Sequence, residues 1–369
     1  MHLTRLLPLG LLALSTFALG CDDDDAGLLT PTAPTVEVPD TYSFDNVSYT
    51  GQQERLAMLA EMKAYMNSVK TFPGVDGARL LAMYANEEGA NFSRAYSKDL
   101  RSKTLAAVQD DFDGYLTRYA SITQKDRAQA APGVSGPIST ADGDKTYVVD
   151  SNGVEWVQII EKGLMGATFY YQATSVYMGE DRMSADNETV VPGEGTAMEH
   201  HWDEALGYFG VPRDFPANTD GVVFWGDYCN DRDADLGTNA LLMDALLKGR
   251  AAISAGNLAV RDEAIAEARA AWELVAAGTA IHYLNLAEAT DDVAVRLHTL
   301  TEAVAFAYAL PFNEATRLDR AAYREWLEEL AGGVEFESID LYDVSDADIV
   351  TAREQLAAVY GLEGRAAQL

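Results

Sequence analysis

An all-α fold is predicted for this 369-residue chain by three features. Apolar residues recur at intervals of three and four, the spacing that gathers them on one helical face. Clusters of Gly and Pro punctuate those stretches. Strand signals are scarce, with Thr146-Tyr-Val-Val149 as one possible extended piece. The architecture expected from this pattern is antiparallel helical bundles, in two pseudo-repeated halves.

Leu56, Leu59, Met62, Tyr65, Met66 and Val69 form the apolar stripe of a first helix, ended by Pro73, Gly74 and Gly77. Further helices are predicted over 78–96 and 99–122, then a Gly/Pro/Ser/Asp-rich loop over 131–144. A long helix over 154–178 precedes a loop at 179–195. Thr196 begins a short helix that Gly210 and Pro212 stop. The aromatic, turn-rich stretch 211–228 reads as a packed connection. Helices follow over 236–255, 258–289, 292–310, 317–330 and 346–360. The run Phe169-Tyr170-Tyr171 with Tyr177 reads as core. The expected organisation is a signal peptide (1–20), an acidic, Pro/Thr-rich tether (21–49), and helical halves at 50–225 and 226–369.

At the start, Arg5 precedes an apolar stretch, Leu6 to Leu19, too short to span a bilayer. It ends in Ala18-Leu19-Gly20-Cys21, followed by four aspartates. Gly before Cys resembles a bacterial lipobox, although Ala18 and Leu19 stand where Leu and a small residue are usual. The reading is lipidation of Cys21, which anchors the chain to a membrane without a transmembrane helix. Ordinary secretion is the alternative. Acidic residues after a lipidated Cys resemble export signals of surface lipoproteins, so the outer membrane or cell surface is favoured. Cys229 is the other cysteine and reads as a small buried hydrophobe.

Asp and Glu number 58 against 27 Lys and Arg, a formal charge of −31. Such a surface repels nucleic acid and concentrates cations. No nucleic-acid partner is expected.

Two phrases carry the chemistry. His200-His-Trp-Asp-Glu204-Ala205 is followed by Tyr208, and His298-Thr-Leu-Thr-Glu302-Ala303 by Phe306. On a helix, positions i and i+4 share a face, so each phrase stacks imidazole on carboxylate. That is the ligand set of zinc or iron. His282 lies on the helix before His298, across a short turn near 290–292, at a similar depth from it. His282, His298 and Glu302 could converge and leave a position open, with Tyr283, Asn285 and Thr301 behind them. In the first phrase, His200 is i−4 and His201 i−3 from Glu204, and one imidazole shares its face fully. Gly166-Ala-Thr-Phe-Tyr170-Tyr171 resembles Gly278-Thr-Ala-Ile-His282-Tyr283, which suggests related helix pairs. One site could then span both halves through His201 or His200, Glu204, His282, His298 and Glu302. The plain alternative is a buried polar network. Asp231-Arg-Asp233-Ala-Asp235 is not a calcium loop, because Leu236 and Leu242 stand where Gly and Glu belong. No His-Glu-x-x-His, phosphate-loop or Gly-x-Ser-x-Gly motif is present.

Tyr42-Ser-Phe44, Ser48-Tyr-Thr-Gly51-Gln52, Glu199-His-His-Trp-Asp-Glu-Ala205 and the His298–Glu302 helix resemble an uncharacterised bacterial lipoprotein family. It is catalogued as domain of unknown function 4856. That family is similar to the imelysin-like proteins, two-bundle helical proteins of the bacterial envelope tied to iron uptake. Their Gly-x-His-x-x-Glu motif is matched here by His201 and Glu204, with Glu199 in place of Gly. The resemblance implies a lipid-anchored envelope protein that binds a transition metal ion, iron or zinc, or a metal complex. It would serve uptake or sequestration, with a metal-uptake or receptor partner. The alternatives are an interaction or scaffold lipoprotein without metal, and a metal-dependent hydrolase using Glu204 or Glu302 as base.

Overall fold

The computed structural model describes residues 34–70, 74–124 and 128–369. The signal peptide, Cys21, the first part of the tether and Pro73 lie outside the described residues. Helices α1 (Thr50–Asn67), α2 (Gly77–Ala85) and α3 (Gln109–Thr123) come first. An antiparallel hairpin of β1 (Gly136–Ser139) and β2 (Thr146–Val149) follows. Next is α4 (Trp156–Leu164), which continues through Tyr177 in wide π turns. Then come α5 (Glu180–Met183), α6 (Ala197–Phe209), α7 (Trp225–Leu236) and α8 (Thr238–Ala255). The chain closes with α9 (Leu258–Glu288), α10 (Val293–Ala309), α11 (Arg320–Ala331) and α12 (Asp346–Tyr360). The fold is all-α.

Local chemistry explains the boundaries that position the site. Thr196 and Glu199 form a reciprocal capping box at the start of α6. Gly210 ends α6 in the left-handed conformation at φ 83°. Asp292 caps α10 by accepting from the Ala294 and Val295 N–H groups. The expected helix over 78–96 instead stops at Ala85, because Asn86 takes a left-handed φ of 54°. The expected connection over 211–228 ends early, at α7. That helix buries Trp225, Cys229, Arg232 and Leu236 and turns a row of aspartates outward.

Residues 34–369 pack as one compact unit. The long α9 packs along both α8 and α10, and α10 packs on α4. Gly166 permits that last approach, since a Cβ there would lie 2.7 Å from the Ala309 Cβ. The stretch Val293–Phe312 is apolar and long enough to cross a membrane, but 78% of it is buried within the protein. It serves as a core helix. Trp156, Trp202, Trp225 and Trp272 are fully buried, as are Phe169 and Tyr170 of the tyrosine-rich run.

Candidate functional site

The two His phrases occupy different surroundings. In the first, α6 turns three faces to three neighbours. Trp202 enters the core, where Gly249 of α8 leaves space for its ring and Leu246 O accepts from its indole N–H at 2.9 Å. Asp203 is fully buried and accepts from Tyr42 OH at 2.7 Å and Arg250 Nε at 2.9 Å. Burial raises the Asp203 carboxyl to about 6, against the pull of Arg250 and Tyr42. Glu199 completes the α6 capping box and pairs with Arg250 Nη1 at 2.6 Å.

The third face carries the histidines. Glu204 Oε1 accepts from Gln52 Nε2 at 2.8 Å and Tyr177 OH at 3.1 Å. Its Oε2 lies 3.3 Å from His201 Nδ1 and 4.0 Å from His200 Nε2. Both histidines therefore turn a ring nitrogen to one oxygen, where helical spacing allowed for one. Burial alone would raise the Glu204 carboxyl. The bonds from His201 and Gln52, the charge of His200 and the Tyr177 bond outweigh it and hold Glu204 below its ordinary value. His201 Nε2 faces outward, 3.5 Å from Arg182 Nη1. Lys103 stands close by, its ammonium lowered by burial and by Arg55 and Arg182, against the pull of Glu204 and Asp99. Arg55 is buried and donates from Nε to Asp99 O at 2.7 Å.

Gln52, Tyr177 and Lys103 were not legible as site residues. Tyr177 reaches Glu204 from the π-turned end of the α4 helix, where Met178 N–H donates to Ala173 O five residues back. Wide turns shift the face on which each side chain emerges, and they occur frequently at functional sites.

The second phrase is enclosed. His298 Nδ1 lies 2.6 Å from Glu155 Oε2, and Nε2 3.6 Å from Glu302 Oε1. The His298 ring stacks on Tyr147 of β2, centroids 4.3 Å apart. Lys162 Nζ lies 3.1 Å from Glu161 Oε2 and 3.8 Å from Glu302 Oε1. Glu161 in turn pairs with Lys63 at 2.7 Å. Burial would lower the Lys162 ammonium, but Glu161, Glu302 and Tyr228 hold it well above its ordinary value.

His282 does not join this group. Its half-buried ring lies near Arg232 on α7, and burial with the Arg232 charge lowers its pKa. The next residue, Tyr283, stands near Glu302 instead, and burial with the Glu302 charge raises its pKa. The single site expected from His200, His201, Glu204, His282, His298 and Glu302 is thus split into separate sets of neighbours. Among the described residues, no three His, Cys, Asp or Glu side chains are placed to hold one metal ion.

Comparison with known families adds one decisive match. Residues 39–363 fit the family model described as a domain of unknown function, DUF4856. The chain belongs to the DUF4856 family. No curated protein and no solved structure matches it. The DUF4856 span takes in Tyr42 and both His phrases.

Proposed function

We propose that this DUF4856 protein is lipid-anchored in the bacterial cell envelope and binds a transition metal at the side-chain cluster around Glu204, for uptake or sequestration. Iron is favoured over zinc by the similarity of His201 and Glu204 to the imelysin motif. The anchor reading rests on Cys21 at the end of the apolar leader. The observation that carries the metal reading is the grip of Glu204 on His201. With a proton on Nδ1 bonded to Oε2, the outward Nε2 presents its lone pair, 3.5 Å from the Arg182 guanidinium. Carboxylates orient metal-binding imidazoles in this way and raise their basicity. Gln52 and Tyr177 fix the carboxylate in turn.

A second reading applies to the second phrase. There Glu155 takes Nδ1 of His298, and Lys162 shares Glu302. That closure favours a structural network for His298 and Glu302.

The test is metal analysis of the untagged full-length protein, stripped with chelator and re-equilibrated with iron or zinc. Wild type should hold metal stoichiometrically. His201→Ala should lose it, and Glu204→Gln should bind about 10- to 100-fold more weakly. His298→Ala and Glu302→Gln should match wild type. Absence of stoichiometric metal, or retention by His201→Ala, rejects the reading.

A further inference from the structure

A cleft of about 500 Å³ opens where α3, α11 and the turn after α10 meet, and it shares no lining residue with either His phrase. Helical spacing builds its walls. Asp111 and Tyr115 stand four apart on α3, and Arg320 and Arg324 four apart on α11, so each pair presents one face to the cleft. Val108 and Phe312 give it an apolar floor and are 2% and 3% exposed. Glu335 and Glu337, beyond the end of α11, complete the lining.

The charges of this cleft leave one another only partly satisfied. Arg324 pairs with Glu335. Arg320, Asp111 and Glu337 line the same cleft, yet among the described residues they form no ion pair with one another. The Arg320 guanidinium lies over the Tyr308 ring instead, 5.3 Å from its centroid. Arg320 is also the first residue of α11, so an anion held there meets both a guanidinium and the positive end of a 12-residue helix. Desolvation raises the carboxyls of Asp111 and Glu337, and Glu335 adds to both shifts. A cation beside them relieves that repulsion. Tyr115 is 3% exposed, and its hydroxyl has no hydrogen-bond partner among the described residues. Opposite charges held apart over an apolar floor match a guest that carries both charges on an apolar body. A lone ion would use one side of such a lining and none of its floor.

We infer that this cleft binds a small zwitterion with an apolar body, an α-amino acid or short peptide with aromatic or long aliphatic side chains. Arg320 would hold the carboxylate through two parallel bonds, and Asp111 and Glu337 the ammonium. Tyr115, Val108 and Phe312 would cover the side chain. The volume lies within the range of small-molecule sites, roughly 300–1,000 Å³. None of these residues belongs to the Glu204 cluster, so the zwitterion site and the metal reading stand or fall separately.

The test is calorimetric titration of the full chain with phenylalanine, with phenylalanyl-phenylalanine, and with that dipeptide either N-acetylated or C-amidated. Wild type should bind the free dipeptide about tenfold more tightly than either capped form, since each cap removes one charge-assisted contact. Free phenylalanine, titrated alongside, shows by the tighter of the two whether the cleft is built for a single amino acid or a peptide. Arg320→Gln should abolish the preference over the amide and keep the preference over the acetylated form. Asp111→Asn combined with Glu337→Gln should do the reverse. A variant that merely loosened the fold would lose both preferences together, and circular dichroism checks that each remains helical. The inference falls if wild type binds neither free ligand, or if it binds the capped dipeptides as tightly as the free one. It falls equally if the variants keep the wild-type pattern of discrimination.

Discussion

Lys162→Met probes the closed state of the second phrase. The ammonium lies 3.1 Å from Glu161 and 3.8 Å from Glu302. At an effective dielectric constant of about 20, those attractions are roughly 5 and roughly 4 kcal/mol. Desolvation of the buried ammonium, several kcal/mol, offsets much of that sum. Removing Lys162 does not refund the burial of its partners, however. Glu161 keeps Lys63 at 2.7 Å, but Glu302 keeps only His298 at 3.6 Å and the Tyr283 hydroxyl. The expected loss is that of breaking a buried pair, about 3–5 kcal/mol. Urea unfolding followed by circular dichroism near about pH 8 measures it. Lys162→Met combined with Glu302→Leu removes both charges and should recover much of the loss. A single variant within about 1 kcal/mol of wild type near pH 8 would refute a structural ion network, because the breaking cost is several-fold larger. So would a double variant no more stable than the single one.

Other perturbations reach the same packing from different sides. Gly249→Val should cost about 1–3 kcal/mol or more by overpacking, and disturb near-ultraviolet dichroism. A Cβ there meets the Trp202 ring at 2.1 Å, so an unchanged midpoint would disprove that contact. Burial pushes the Cys229 thiol up to about 12, so it should stay inert to a disulfide reagent near neutral pH and react fully only in urea. Rapid labelling of the native protein would contradict its burial. Burial and Arg232 lower the His282 pKa, so its neutral form is favoured in the fold. That contribution is present above about 6.5, the unfolded value, and is lost as pH falls through the folded one. His282→Gln should flatten the acid side of the stability profile, and an unchanged slope would count against this assignment.

Much of the fold follows from near neighbours along the chain. Apolar spacing, the Thr196 cap, the left-handed Gly210 stop and the short turn before Asp292 are local devices, and they predict α6, α9 and α10 closely. The same reasoning missed α7, whose aspartates dilute its apolar stripe, and the premature stop at Asn86. Within the site, the pairing of His201 with Glu204 was legible, because i,i+3 spacing is set by helical geometry. Gln52, Tyr177, Lys103 and Lys162 were not. They come from α1, the π turns, the chain after α2, and α4, and nothing local links them to the histidines.

What the sequence by itself determined is the all-α fold, the acidic surface and the two imidazole–carboxylate phrases. What tertiary structure alone decided is which phrase is open and which is closed. Helical spacing states the angle between two side chains on one helix but not the direction either faces. On α9, a rotation of one residue, about 100°, sends Tyr283 to Glu302 and His282 to Arg232. On α10, Lys162 arrives from another helix and fills the place that spacing reserved for a ligand. In the first phrase the arriving cation is the exposed Arg182, 3.5 Å from the outward nitrogen of His201.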